Sequence, residues 1–343
     1  MKKMLILLSA VLLFVGGCSS NCKAEDLINY VPADTDGVIA VDSERLINLS
    51  HLQDLRKENA DFNGQWLTFE SELKKYGLKT SDLPSKLMIF FKAEGGTQNA
   101  GILALTEITE AKLVNLFKLN KDKLSYTEKT IAGRKSYVIA KKAKSEDKAV
   151  ITYIKPNLAL ICDEDKAEYF CKVVGKSKNE KLIAADKKAD QKALMYILYA
   201  KGAKASPAAP AAPASPMGNN PIDSLESAVI ALNLVGKSQK DINLKADLTC
   251  TDVQNASQIA MQLKTLVMIM TMQVAQDPKL SKSITEAIAI DQKEKNIKIN
   301  ISISETLLTQ IKATAEAKKK QALAARAASA KATPVAVPAK VAK

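Results

Sequence analysis

Two stretches of the chain alternate strictly between apolar and polar residues. Ile242, Leu244, Ala246, Leu248 and Cys250 interleave with Asn243, Lys245, Asp247 and Thr249, and Ile297, Ile299, Ile301 and Ile303 with Lys298, Asn300 and Ser302. A period of two sends successive side chains to opposite faces, so each predicts a strand buried on one side. Between them Val253, Ala256, Ala260, Leu263, Val267, Met270 and Val274 recur at threes and fours, the core stripe of a long helix. Thr251 and Gln254 predict its capping box, and Pro278 its stop. Met268, Met270 and Met272 read as core packing. Residues two apart on a helix diverge, so these thioethers cannot converge on a copper ion.

The first half offers more strands. Val38–Asp42 follows the turn-like Pro32–Gly37, Leu87–Lys92 and Ile102–Thr106 flank the turn residues 94–97, and four short runs (Leu124–Ile131, Lys135–Lys141, Val150–Ile154, Leu158–Cys162) are joined by tight turns at Ala132–Arg134 and Lys155–Asn157. Connections this short require antiparallel pairing. Helices are predicted over the stripe Leu55, Phe62, Trp66, Phe69, Leu73 and Tyr76, with Gly77 as C-cap, then over Glu110–Leu119, Asp165–Val174 and Glu305 to about Ala325. The fold class is therefore α+β, antiparallel sheet with long amphipathic helices on one face, in a first module over 27–176 and a second over 177–317. No residue repeat links the two. Pro207, Pro210, Pro213, Pro216 and Pro221 make 203–221 an extended, mobile segment: an interdomain linker, or an enlarged hairpin loop between strands Leu194–Ala200 and Val229–Val235. The hairpin is the favoured reading.

The N-terminus changes the picture. Met1-Lys2-Lys3 precedes an apolar run from Met4 to Val15, shorter than the ~20 residues a membrane span needs, and small residues follow it. This is the pattern of a signal peptide. Its end, Val15-Gly16-Gly17-Cys18-Ser19, closely resembles the lipobox of bacterial lipoproteins. The resemblance implies removal of residues 1–17, a diacylglycerol on the Cys18 thiolate, an N-acyl lipid on the new terminus and a short tether over 18–26. With Ser19 next in line, it implies an outer-membrane protein facing the periplasm. The turn Pro32–Thr35 and strand Val38–Asp42 also resemble the start of uncharacterised exported α+β proteins, which brings no activity with it.

Charge is unevenly spread. Loss of Lys2 and Lys3 lowers the net +13 to +11; Lys318, Lys319, Lys320, Arg326, Lys331, Lys340 and Lys343, with no acid among them, hold +7 and leave +4 for the body. The segment 318–343 is thus read as a basic, disordered Ala/Lys/Pro tail, either a contact for anionic lipid or cell-wall polymer or merely a solvated end. Aromatic residues make up 5% of the chain, with one tryptophan, which gives a base-stacking surface little material and argues against nucleic acid as a partner.

Candidate chemistry is sparse. Beyond Cys18 stand Cys22, Cys162, Cys171 and Cys250. In an exported protein disulfides persist, and Cys162–Cys171 is the first pairing to consider, against buried free thiols acting as small apolar groups. His51 is the only histidine, beside Ser50 with no locatable relay partner, so a capping or surface role is expected and a multi-histidine metal site is excluded. Gly175-Lys176-Ser177 and Gly236-Lys237-Ser238 lack the earlier glycine of a phosphate loop, where Phe170 and Ala231 stand. Ser71–Lys74 lacks the further elements of penicillin-recognising enzymes. Asp34–Gly37 lacks the remaining acids of a calcium loop, with Pro32 and Ser43 in their places. No catalytic residue, metal or cofactor beyond the Cys18 lipid is assigned. The expected function is non-catalytic binding or scaffolding on the envelope membrane; a carrier or chaperone for an apolar ligand or unfolded protein is the alternative, and an enzyme of unknown class the third.

Overall fold

The computed structural model describes residues 27–332 except 50–52, 55, 58, 76–77, 81–83, 93–99, 143, 177, 202–223, 237–239 and 275–276. Cys18, Cys22, His51, Leu55, Tyr76, Gly77, the proline-rich segment and Lys340 and Lys343 lie outside the described residues.

Among the described residues twelve strands form one antiparallel sheet. They are β1 Gly37–Asp42, β2 Lys86–Phe91, β3 Ala100–Leu105, β4 Leu124–Ile131, β5 Arg134–Lys141, β6 Lys144–Lys155, β7 Leu158–Asp163, β8 Met195–Ala200, β9 Leu225–Val235, β10 Asp241–Cys250, β11 Ile288–Lys293 and β12 Asn296–Ile303. Their order is β11-β12-β10-β9-β8-β1-β2-β3-β7-β6-β5-β4. Eight helices accompany them among the described residues: α1 Ser43–Ile47, α2 Ala60–Lys75, α3 Glu110–Leu119, α4 Glu164–Val173, α5 Glu180–Asp186, α6 Val253–Gln273, α7 Pro278–Ala287 and α8 Glu305–Ala332.

The same connectivity occurs twice. Three successive strands (β1-β2-β3, then β8-β9-β10) run into helix, and the strands that follow return so that the last of them, β7 or β12, lies beside the third. The halves meet where β1 pairs β8, Ile39 opposite Ile197. β8 also pairs β9 directly, Met195 opposite Leu232, so 202–223 connects two neighbouring antiparallel strands, as the hairpin reading has it.

Helices cover both faces of the first half, where one covered face was expected. β3 (AGILAL) and β7 (LALICD) are apolar at nearly every position, as strands buried on both sides must be. On one face Leu103, Leu160, Cys162, Phe90 and Val38 pack with Phe170 and Cys171 of α4 and Leu182 of α5. On the other, Ile102, Ile161, Ile151 and Tyr137 pack with Leu113, Leu116 and Phe117 of α3 and Leu73 of α2. The alternating strands β10 and β12 need cover on one side only. Their apolar residues lie under α6, α7 and α8, and Lys245, Asp247, Lys298, Asn300 and Ser302 face solvent on the other.

Local chemistry agrees with these elements. The β4–β5 turn places Ala132 at φ 50° and Gly133 at φ 78°, the left-handed pair that a two-residue hairpin uses. Gly101 is required by close approach: a Cβ there would lie 2.3 Å from Cζ of Phe90, whose ring covers it. The basic segment is not irregular from Lys318, because the α8 backbone continues to Ala332. Alanine, lysine and glutamine are good helix formers, and nothing in 305–332 breaks the run.

Candidate functional site

Helix α6 starts one residue away from the expected cap. Asp252, not Thr251, is the N-cap, its carboxylate accepting from the Asn255 backbone at 2.7 Å while Thr251 donates its hydroxyl to the same side chain at 3.3 Å. Pro278 does not end this helix. It opens α7, where its missing N–H costs nothing, and Asp277 caps that helix through Lys279 and Leu280.

One stripe of α6 follows the expected pattern. Ala256 and Ala260 are buried, and half-buried Ile259 joins them over Cys250, Leu248, Ile290, Ile297 and Ile299. Two alanines at the contact bring the helix close to the sheet. Val267 and Leu263 are half-buried, but Val253 and Met270 of the predicted stripe are exposed.

The opposite side of α6 overturns the core assignment of the methionines. Met272 is 68% exposed, Met261 64%, Leu266 57%, Met268 56% and Ile269 48%. Met261, Thr265, Met268 and Met272 stand at four-, seven- and eleven-residue steps and share one line on the helix. Thr265 adds no polar demand to that line, because its hydroxyl donates to the Met261 carbonyl at 2.9 Å; Thr271 does the same to Met268 at 2.8 Å. From Met261 to Val274 the one charged residue is Lys264. So many exposed large apolar residues on one helix are uncommon on a folded protein.

Next to α6 stands α7, with exposed Lys279 and Lys282, and beyond it α8. Leu307 of α8 is buried with Leu280 and Ile284 of α7, and Ile311 packs beside them. Past Thr314 the described side chains are exposed, Lys318 and Lys320 among them. Lys319, Arg326 and Lys331 also lie on α8, so five of the seven cations of the predicted polyanion contact are borne by one helix.

Other chemical groups are committed elsewhere. Cys162 and Cys171 face the same core from β7 and α4, but as free buried thiols; no disulfide joins them. Cys171 Sγ lies 3.5 Å from Thr152 Oγ1, and burial pushes the Cys162 thiol well up, with Cys171 adding to it. Cys250 is likewise free beneath α6. Tyr137 donates to Glu110 at 2.5 Å, and Lys135 pairs with Glu110 at 3.1 Å and Glu128 at 3.2 Å, a closed set tying α3 to β5. A pocket of about 360 Å³ lies by the ends of β1, β2 and β8, with Leu27, Met88 and Tyr196 beside Lys86, Asp42 and Asp186. Among the described residues no three of His, Cys, Asp and Glu are placed to hold a metal ion.

No family model matches this chain. No curated protein matches it either. Among solved structures it is similar to crystal form I of TP0453, at 12% identity and a TM-score of 0.44, over 85% of this chain and 99% of that one.

Proposed function

We propose that this chain is a lipid-anchored cell-envelope protein, acylated on Cys18 and held at the outer membrane facing the periplasm, with a non-catalytic binding or scaffolding role. The observation that carries the binding role is the outer face of α6. A run of methionine, leucine and isoleucine in water serves recognition of an apolar surface, not a reaction. The basic segment on α8 supplies the contact to anionic envelope components, lipid or cell-wall polymer. The carrier reading calls for an apolar cavity between sheet and helices. The pocket described above mixes apolar Leu27, Met88 and Tyr196 with Lys86, Asp42 and Asp186, and it is the exposed face of α6 that favours the binding reading.

The anchor is tested on the N-terminal peptide of the purified protein. Its mass should be that of a chain beginning at Cys18 with about two to three acyl chains, enough for stable anchoring at ~0.8 kcal/mol per buried CH₂. Cys18→Ser should accumulate as an uncut, unlipidated precursor. A Cys18→Ser chain processed to the mature length would sink the assignment.

A further inference from the structure

We propose that α6 lies flat on the bilayer to which the chain is anchored, its outer face set into the boundary between headgroups and acyl chains. The inference rests on the anchor reading above and adds the surface that meets the lipid. Met261, Met268 and Met272 form the inserted line, with Ile269 beside it on the same outer face. The exposed cations of α7 and α8 stand toward anionic headgroups.

Four observations lead to a bilayer as the occupant. The first is chemical. The outer line of α6 carries no charge, its threonine hydroxyls are satisfied inside the helix, and methionine adapts to a fluid, irregular surface. Lys264 is one long-stemmed cation among them, suited to reach back to the headgroups.

The second is reach. Eight residues, Ser19 to Asp26, separate Cys18 from Leu27 at the start of the described fold. Fully extended they span about 30 Å, so an anchored body stays within about its own width of the lipid. A surface that stays this close binds at high effective concentration, and modest apolar contact suffices.

Charge gives the third. α7 carries Lys279 and Lys282 against Glu286, and α8 carries Lys312, Lys318, Lys319, Lys320, Arg326 and Lys331 against Glu305 and Glu316. Pairing two copies across a two-fold axis at α6 would bring like-charged helices together. An anionic bilayer attracts the same helices.

The fourth separates lying on the membrane from crossing it. Among the described residues no helix is long and apolar enough to span. The inner stripe of α6 is already committed to the sheet through Ala256 and Ala260, leaving one face for the lipid.

The test places a tryptophan in the face of the full chain. Ile269→Trp is made in a Trp66→Phe background, with Asn300→Trp, on the open polar face of β12, as the control. Each protein is mixed with vesicles of phosphatidylethanolamine and phosphatidylglycerol, some with brominated acyl chains. The expected result is quenching of Ile269→Trp by the brominated chains, with a blue shift and protection from iodide, and none of these for Asn300→Trp. Adding Met268→Glu and Met272→Glu, both at exposed positions, should abolish the quenching. An Ile269→Trp that remains open to iodide on a preparation whose Cys18 peptide carries lipid overturns the docking and leaves the anchor standing. Quenching on a preparation without lipid at Cys18 supports the docking and removes the anchor. A dimer in lipid-free solution that shields Ile269→Trp from iodide gives the face to a second copy and overturns the proposal.

Discussion

The side-chain amide of Asn179 donates to the carbonyl of Thr35 at 2.8 Å, joining residues 144 apart in the chain. It also donates to Ala33 at 3.0 Å, while its oxygen accepts from the Leu182 backbone and caps α5. One buried side chain therefore fastens the Pro32–Thr35 turn to a helix of the far end of the first half. Asn179→Ala leaves the buried Thr35 carbonyl, the more open Ala33 carbonyl and a helix start without their partner. A loss of about 2–3 kcal/mol is expected, read as a lowered urea midpoint with unchanged slope.

Phe90 is fully buried against Phe170, ring centroids 5.1 Å apart, and its other side lies on Gly101. Gly101→Ala sets a methyl group where the ring now is. Either the ring or β3 must shift, and the expected cost is about 1–3 kcal/mol in thermal or denaturant unfolding. Gly64, with open space around it on α2, is the matched control: Gly64→Ala should be neutral or stabilise by up to about 1 kcal/mol.

The hydroxyl of Tyr137 is pushed up to about 12 by burial and by the Glu110 carboxylate that accepts its hydrogen bond. A raised value means the fold binds this proton more tightly than the unfolded chain does. The contribution to stability is thus complete below the ordinary tyrosine value of 10.0 and is lost as pH rises from there through about 12. Glu110 runs the other way: the bonds from Tyr137 and Lys135 hold it below its usual 4.5, so its share is present above that value and fades on acidification. Tyr137→Phe should cost about 1 kcal/mol at neutral pH and flatten the alkaline loss, both visible in urea midpoints taken across the window.

Removing 318–343 tests the cationic arm. The cut falls after Leu307 and Ile311, which hold α8 to α7, so the body should unfold at the same midpoint. Binding of the chain to acidic vesicles or cell-wall polymer at low salt should fall steeply, since each cation near an anionic surface contributes about 1 kcal/mol before screening. Equal binding by the truncated and full chains, at low salt and high, would return the arm to a solvated end.

The sequence made some of this legible. Alternation located β10 and β12 and their buried sides, and the inner stripe of α6 was found from Ala256 to Val267 because its spacing is that of a helix. α7 was missed since a proline can end one helix or begin the next, and only Asp277 ahead of it favours a beginning. β11 contributes just Ile288 and Ile290 to the core, too few to announce a strand. The outer face of α6 was misread for a deeper reason. Met261, Met268 and Met272 have the character of core residues, and local pattern does not tell that no further layer of the described fold lies over them. Nor does any local signal join β1 to β8, which fixes the single sheet.

That junction sets a timetable for a chain delivered N-terminus first. β1 finds β2 soon after it emerges, but its second neighbour, Met195–Ala200, follows more than a hundred residues later. Until then Gly37–Asp42 presents a row of open N–H and C=O groups beside Val38 and Ala40, residues with no charge to repel a stranger. The finished sheet leaves its edges at β4 and β11, which carry Glu128 and Lys129, and Asp291 and Lys293. The waiting chain has no such guard at its middle. Slow, late closure and a need for protection until β8 arrives follow from the place of one short strand.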